Sequence, residues 1–315
     1  MWQMVAPRLI SCTLVVATLA LTACTSTVQG AGEPAASGVA SPSTGASTPT
    51  ALTADAYRGA LGKQRDGVRD ALSDVAAAKT IKTLDDRVER AEETLRGAAQ
   101  SLSALAPPVE ARVQHEAYVA SLRDFTTELG TTLGRVGDRT VCTAGGVFAD
   151  LSGKLQALDQ TGKALRALGD YPADVVPVKV AKKQNRRLAN GTFLRSGQRT
   201  GRGSLQIDNG ASRDAVVTVL RGKAKAFSVY VRRKSSFKVR GVRDGTYEVY
   251  FTHGADWDGR AFTRSCSFER FEKSVRYRTT YTSTQIRWHD WRVTLHMVSG
   301  GNAPTATVDP ESFPG

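Results

Sequence analysis

The stretch IKTLDDRVERAEETLRGAAQSLSAL, residues 81–105, has the most regular hydrophobic pattern in the chain. Its apolar residues recur at alternating spacings of three and four, which places all of them on one stripe of an α-helix. Pro107 and Pro108 follow and predict the end of this helix, because proline cannot continue helical hydrogen bonding. The residues of the stripe are Ile81, Leu84, Val88, Ala91, Leu95, Ala98, Leu102 and Leu105.

Stripes of the same kind precede and follow this helix. They predict four amphipathic helices with short connections over residues 54–170, and hence an up-and-down antiparallel bundle. The apolar residues of the other three stripes are Tyr57, Leu61, Val68, Leu72 and Val75, then Tyr118, Leu122, Phe125, Leu129, Leu133 and Val136, then Phe148, Leu151, Leu155, Leu158, Leu165 and Leu168.

From residue 203 the hydrophobic period changes to two, which predicts strands. Asn209-Gly210 and Asp244-Gly245 are typical of tight hairpin turns. Seven or eight short strands with such turns over residues 203–300 predict an antiparallel β-sandwich. The predicted fold is therefore α+β with two domains: an N-terminal antiparallel helical bundle and then a C-terminal antiparallel β-sandwich. A basic linker over residues 171–202 joins them, and residues 301–315 form a C-terminal tail.

The amino terminus has the pattern of an export signal. Residues 9–23 are apolar or small and follow Arg8, but fifteen residues are too few to span a bilayer comfortably. Leu21-Thr22-Ala23-Cys24 resembles the bacterial lipobox, in which the cysteine thiol receives a diacylglycerol before cleavage. We therefore expect residues 1–23 to be a lipoprotein signal peptide and Cys24 to be lipidated. An ordinary cleaved signal and an uncleaved membrane anchor are the alternatives.

The segment after Cys24 has the composition of a tether. Residues 25–53 are mostly Ser, Thr, Gly, Ala and Pro, and such a segment cannot offset its ordering entropy by burial. We expect a disordered tether over residues 24–53. Because two acyl chains hold a protein stably at a bilayer, the predicted location is the outer face of the cell membrane, lipid-anchored and extracytoplasmic.

The positive charge lies mostly in the second half of the chain. The formal net charge is +13, and residues 172–202 alone carry eight basic side chains and one acidic one. Nucleic acid is not an expected partner for an exported protein. The composition instead favours anionic cell-wall polymers or lipid headgroups.

Cys142 and Cys266 are the two cysteines that remain after the signal peptide and the lipidation site. An even pair outside the cytosol permits a disulfide. Cys266, however, shares strand parity with Phe262 and Phe268, which is also compatible with a buried free thiol. The sequence is compatible with both a disulfide and a free thiol.

Residues that could carry chemistry are few. His253, Asp256 and Asp258 lie within six residues and could hold a cation, but the same stretch is typical of a polar hairpin connection. The chain has no GxSxG, HExxH or P-loop motif. We therefore predict no catalytic residue and no cofactor, with the histidine and the two aspartates as weak metal candidates.

Strand alternation predicts a basic outward face on the sandwich. This face would bind anionic polymers or headgroups, or it would simply be a solvated surface. Its predicted residues are Tyr230, Arg232, Lys238, Arg240 and Tyr250. Further cations from the predicted linker are Lys179, Lys182, Lys183, Arg186 and Arg187.

Four motifs over about residues 203–314 carry a family resemblance: IDNGASRDAVVTVLRG, FSVYVR, VRDGTYEVYFTHGADWDGRAFTRSCSF and GGNAPTATVDPESFP. With these, the region resembles the C-terminal domain of uncharacterised actinobacterial secreted lipoproteins. Together with the lipobox and the helical segment, the resemblance extends over the mature chain, and it implies no particular activity. The strand–DGTY–strand pattern is more loosely similar to transthyretin-like and carboxypeptidase-regulatory domains, which implies a non-catalytic sandwich.

The predicted function is a lipid-anchored binding or scaffolding protein of the cell envelope. One alternative is a ligand-binding sensor or delivery subunit, which a deep apolar cavity between the domains would favour. Another is an enzyme of unrecognised type, which converging carboxylates in a pocket would favour. The residues do not identify a ligand, a protein partner or an oligomeric state.

Overall fold

The computed structural model describes residues 50–179, 182–296 and 304–314. The predicted signal peptide, Cys24 and the tether as far as residue 49 lie outside the described residues. The helical half and the sheet half have separate hydrophobic cores. This confirms the α+β class, with helices first and mainly antiparallel sheets after them.

The helical half follows the hydrophobic stripes closely. Consecutive helices pack side by side, and the predicted fourth helix is two segments that meet at Leu151. Thr53, Thr80 and Thr143 cap three of the helices through their side chains. The helices are α1 (Ala54–Ala76), α2 (Ile81–Ser103), α3 (Arg112–Gly137), α4 (Ala144–Asp150) and α5 (Ser152–Arg166), with a 3₁₀ turn at Val109–Ala111.

The β half contains a large sheet, a small sheet and a two-stranded hairpin. The large sheet has the order β1-β4-β3-β6-β7-β12, and β8 pairs with the beginning of β6. The small sheet has the order β11-β2-β5, and β9 pairs with β10. The strands are β1 (Phe193–Ser196), β2 (Gly203–Asn209), β3 (Asp214–Arg221), β4 (Ala224–Val231), β5 (Ser235–Val242), β6 (Gly245–Trp257), β7 (Phe262–Phe271), β8 (Val275–Tyr277), β9 (Thr280–Tyr281), β10 (Ile286–Arg287), β11 (Trp291–Thr294) and β12 (Thr305–Thr307).

One pairing departs from the predicted antiparallel arrangement. Strands β11 and β2 are parallel, with Trp291 opposite Leu205. A chain segment of more than eighty residues separates them, so no turn signal could reveal this pairing.

The central strand β3 is buried on both faces because each face of the large sheet has a partner. On the inner face, Val217 and Val219 pack with Leu205 and Ile207 of the small sheet in one core. On the outer face, Val216 belongs to a second cluster with Tyr230, Trp257, Phe262 and the two cysteines. The sheets therefore form a sandwich, and its outer face is turned to the helical half.

The two halves are joined covalently and by backbone hydrogen bonds. The Cys142 amide donates to the Thr263 carbonyl at 2.9 Å, and the Cys266 amide donates to the Arg139 carbonyl at 3.0 Å. A disulfide links Cys142 to Cys266. Of the two interpretations of these cysteines, the structure therefore shows the disulfide.

The segment predicted as a basic linker, residues 171–202, is part of the folded structure. Tyr171 is buried in the helical core, and β1 lies inside this range and pairs with β4. Lys183, Arg186 and Arg187 each pair with a buried carboxylate. A count of charges could not reveal these partners, because they lie far away in sequence.

The predicted C-terminal tail, residues 301–315, also takes part in the fold where it is described. Strand β12 extends the large sheet beside β7. The Phe313 ring packs against those of Tyr250 and Phe268, with centroids 6.0 and 5.2 Å away. The Phe313 ring therefore holds the C-terminal segment on the outer face of the large sheet.

Candidate functional site

A cleft of about 710 Å³ lies between the helical half and the outer face of the large sheet. Its floor is built by β3, β4, β6 and β7, and β1 supplies one edge. One wall contains the α1–α2 turn and residues 142–145, which lead into α4. The β6–β7 hairpin tip and residues 310–314 complete the boundary.

Two rows of side chains cross the floor, because residues opposite each other on paired strands point to the same face. The first row runs through Arg195, Ser228, Thr218 and Tyr250. The Thr218 and Ser228 hydroxyl oxygens lie 3.0 Å apart and share a hydrogen bond. This row combines small hydroxyl groups with a guanidinium at its edge.

The second row is more apolar. It runs through Tyr230, Val216, Thr252 and Phe268 on neighbouring strands. Because the two rows are adjacent, the cleft offers a strip of hydroxyl groups beside a strip of apolar surface.

An aromatic cluster lies at one end of the cleft. The Trp257 and Phe262 rings meet edge to face with centroids 5.1 Å apart, and Tyr230 lies 6.0 Å from Trp257. All three side chains are buried, and the cluster includes Cys142 and Cys266. The disulfide therefore holds this end of the cleft against the helices.

A contact between residues 310–314 and α2 closes another side of the cleft. The Lys82 amide, in the first turn of α2, donates to Glu311 Oε1 at 3.3 Å. A carboxylate at this position also interacts favourably with the helix dipole. Residues 310–314 thus connect the sheet to the first turn of α2 across the cleft.

The charged residues that line the cleft are mainly cationic. Glu311 caps α2 in the contact just described, and Asp258 Oδ1 accepts from the amides of Arg260 and Ala261 at 2.8 and 2.9 Å. The cationic residues of the lining are Lys79, Arg195, Lys225 and Arg260. An anionic group would therefore be attracted to this cleft.

Two ion pairs, each with a buried carboxylate, support the edge of the sheet beside the cleft. Arg187 donates two hydrogen bonds to Asp214, which also accepts from the Tyr230 hydroxyl and the Arg233 amide. Burial alone would raise the pKa of Asp214, but the hydrogen bonds from Arg187 and Tyr230 outweigh it and hold that pKa below its usual value. This network fixes the orientation of Tyr230, which would otherwise leave a buried hydroxyl without a partner.

The neighbouring ion pair, Arg186–Asp256, is arranged in the same way. Asp256 accepts from the Arg186 guanidinium twice and from the Arg186 amide, all at 2.8 Å, and from the Thr263 hydroxyl. These hydrogen bonds, those of Arg186 first, place the pKa of Asp256 far below its usual value. Consecutive arginines thus fasten the segment before β1 onto the sheet.

The three metal candidates do not converge. His253 lies in the sandwich interior with Nε2 3.3 Å from Asn209 Oδ1, Asp256 is held by Arg186, and Asp258 caps its own turn. Within the described ranges, no group of three or more His, Cys, Asp or Glu side chains is arranged to hold a metal ion. The metal hypothesis fails here because each of the three side chains is engaged by a different partner and they do not share a site.

The predicted basic face is not one continuous surface. Lys238 and Arg240 are exposed on β5 of the small sheet, whereas Tyr230 belongs to β4 and is buried in the outer cluster. Arg232 donates to the Leu188 carbonyl at 2.7 Å, and the Tyr250 ring contacts Phe313. The chain changes sheets between β4 and β5, so residues that alternation places outward on these two strands do not share one face.

One feature of the sequence pointed to the cleft, but strand alternation alone did not identify it. Thr218 and Ser228 are small polar residues with an apolar residue on either side, and Thr252 directly follows the apolar Phe251. Only the strand order β4-β3-β6 places them side by side.

Comparisons of the chain with protein-family models, with curated proteins and with solved structures found no match. The family resemblance drawn from the sequence stays a prediction. In the part of the chain that is described, none of the helices is both long and apolar enough to span a bilayer.

Proposed function

We propose that this chain is a lipid-anchored, extracytoplasmic binding protein of the cell envelope, and that it binds a small amphiphilic ligand in the cleft. The observation that carries this proposal is the cleft of about 710 Å³ between the helices and the outer face of the large sheet. Its volume is within the range of pockets that enclose a small organic molecule.

The residues that line the cleft indicate the chemistry of its ligand. Leu194, Val216 and Phe268 provide apolar contacts, and the hydroxyl groups of Thr218 and Ser228 provide hydrogen-bonding partners beside them. The cationic lining favours an acidic group on the ligand. We therefore expect a molecule with an apolar body and a carboxylate or phosphate group.

Two further features support an extracytoplasmic location. Disulfides persist in oxidising compartments, and Cys142 is bonded to Cys266. The lipobox-like sequence at Cys24 and the tether composition after it support the lipid anchor.

The experiment compares two glycine-to-tryptophan variants. Gly145 is exposed in α4 and lines the cleft, and a new Cβ there would meet only the Thr143 hydroxyl at 3.9 Å. Gly153 is exposed in α5, lies outside the cleft lining, and its Cβ would meet no atom within 4 Å. Gly145→Trp should therefore place an indole in the cleft and obstruct it, and Gly153→Trp should change only the surface.

Native mass spectrometry of protein purified from its source membranes provides the readout. We expect the wild type and Gly153→Trp to retain a small bound molecule and Gly145→Trp to lose it. A molecule retained equally by all three proteins, or by none, would contradict a ligand in this cleft.

A further inference from the structure

The exposed hydrophobic side chains of the described residues are concentrated in one short segment. Eight large hydrophobic side chains are exposed in the described residues, and four of them lie between residues 281 and 291. They are Tyr281, Ile286, Trp288 and Trp291, with exposed fractions of 67, 40, 48 and 39%. We name residues 280–292 the aromatic hairpin, since β9 and β10 form its two strands.

Within the described ranges, no other segment covers the aromatic hairpin. Every residue from 280 to 292 is exposed. Tyr281 lies opposite Ile286, so an aromatic and an aliphatic side chain form an exposed cross-strand pair. A two-stranded hairpin is only marginally stable in water, and an exposed apolar cluster of this kind is typical of an interaction surface.

The base of the aromatic hairpin is nevertheless well positioned. The Trp291 indole donates to the Arg276 carbonyl at 2.9 Å. At the neighbouring turn, Asp244 accepts from the amide and the hydroxyl of Thr279 at 2.7 and 2.8 Å. The exposed aromatic residues are therefore presented from a fixed base.

The segment that carries the aromatic residues is rich in arginine. Residues 276–292 contain four arginines and a single acidic residue, Asp290, whose carboxylate accepts from the Ser204 amide. Among the described residues, Arg276, Arg278 and Arg287 form no ion pair, while Arg292 pairs with Asp208. The segment thus combines exposed aromatic and aliphatic groups with an excess of positive charge.

We propose that the aromatic hairpin is a membrane-contact surface that inserts its aromatic side chains between anionic phospholipid headgroups. Trp and Tyr are enriched at the interface between lipid and water, and arginines near an anionic leaflet are attracted to it. The Tyr281–Ile286 pair favours a bilayer over a polysaccharide, because Ile286 has no ring to stack on a sugar and gains by leaving water. A lipid at Cys24 would hold the chain at the same surface.

The test uses residues 49–315 without the lipid, since these residues form one compact unit. The probes are vesicles of phosphatidylglycerol and phosphatidylcholine in equal parts, and vesicles of phosphatidylcholine alone. We expect sedimentation with the anionic vesicles at low salt and release as salt rises. Brominated lipids should quench the tryptophan fluorescence, and Trp257 contributes little to this quenching because it is buried.

Two double variants and two matched controls locate the binding. Trp288→Ala with Tyr281→Ser, and Arg276→Glu with Arg278→Glu, should each lower vesicle partitioning at least about tenfold. Val109→Ala with Val113→Ala removes exposed apolar groups from the helical half. Lys238→Glu with Arg240→Glu reverses exposed charges on the small sheet. Both controls should bind like the wild type.

Three binding results would overturn the proposal. They are wild-type binding by both hairpin variants, an equal loss in the controls, and binding to teichoic-type polymer with no binding to vesicles. The last result would assign the aromatic hairpin to a wall polymer. Quenching by brominated lipid is measured on the wild type, so its absence would also contradict insertion even if a variant fails to fold. Gly145→Trp should leave vesicle binding unchanged, which separates this surface from the cleft.

Discussion

Cys142, two residues before α4, is bonded to Cys266 in β7, and this disulfide closes a loop across a sequence separation of 124 residues. It joins the helical half to the sheet at the aromatic end of the cleft. The same position is held by backbone hydrogen bonds between residues 139–142 and 263–266. This junction therefore fixes the two surfaces of the cleft relative to each other at its aromatic end.

Reduction of this disulfide should lower the free energy of unfolding by up to about 4–5 kcal/mol, because the bond restricts a long loop in the unfolded chain. Denaturant unfolding with and without reductant measures the difference. Alkylation of the folded protein without reductant is the accompanying check. Two labelled thiols, or equal stability in both conditions, would contradict the bond.

Replacement of Cys24 by alanine should release the protein from the membrane fraction into the medium or block its processing, because the acyl chains would have no attachment site. Fractionation of cells that express Cys24→Ala and the wild type measures this. A wild-type protein that is soluble, carries no lipid and starts at a residue other than 24 would contradict the anchor.

Mild acid should destabilise the fold through His253. Burial, with the nearby charges of Arg213 and His296, lowers the pKa of this imidazole to about 4. A histidine that is neutral when folded and titrates near 6.5 when unfolded stabilises the fold above pH 6.5. That stability is lost as pH falls from 6.5 toward 4. At about 1.4 kcal/mol per pKa unit, the full loss is about 3 kcal/mol.

The measurement is the free energy of unfolding at several values of pH in wild type and His253→Gln. The variant should have a flatter profile between pH 6.5 and 4, since glutamine does not titrate. His115 is also buried, and burial lowers its pKa, so part of the slope should remain. Identical profiles for the two proteins would contradict a neutral, buried His253.

Neighbouring glycines in α4 should respond in opposite directions to alanine. A Cβ on Gly146 would lie 2.8 Å from the Thr263 carbonyl oxygen, which belongs to the sheet backbone, whereas a Cβ on Gly145 would meet the Thr143 hydroxyl at 3.9 Å. Gly146→Ala should destabilise the protein by about 1–3 kcal/mol because the helix must move away from β7. Gly145→Ala should stabilise it slightly, by up to about 1 kcal/mol, through helix propensity.

Chemical denaturation of both glycine variants measures these changes. Equal effects of the two substitutions would show that α4 does not pack closely on β7.

The helical half could be predicted from sequence because its signal is local. The stripe that includes Leu84, Val88 and Leu95 reports which side of one helix is buried, and the structure places all three in the helical core. Strand alternation worked in the same way for Val229 and Val249, which lie in the sandwich core. A period of 3.6 or 2 is set by backbone geometry and needs no distant partner.

Pairing across long distances in sequence was decided only by the tertiary structure. Tyr230 alternates outward on its strand, yet it is buried because the outer face of the large sheet is covered. Arg186 and Arg187 belong to a run of positive charge in the sequence, but in the fold they neutralise Asp256 and Asp214. Hydrophobic period shows which residues share a face, whereas the partner of that face depends on side chains that folding brings together from elsewhere in the chain.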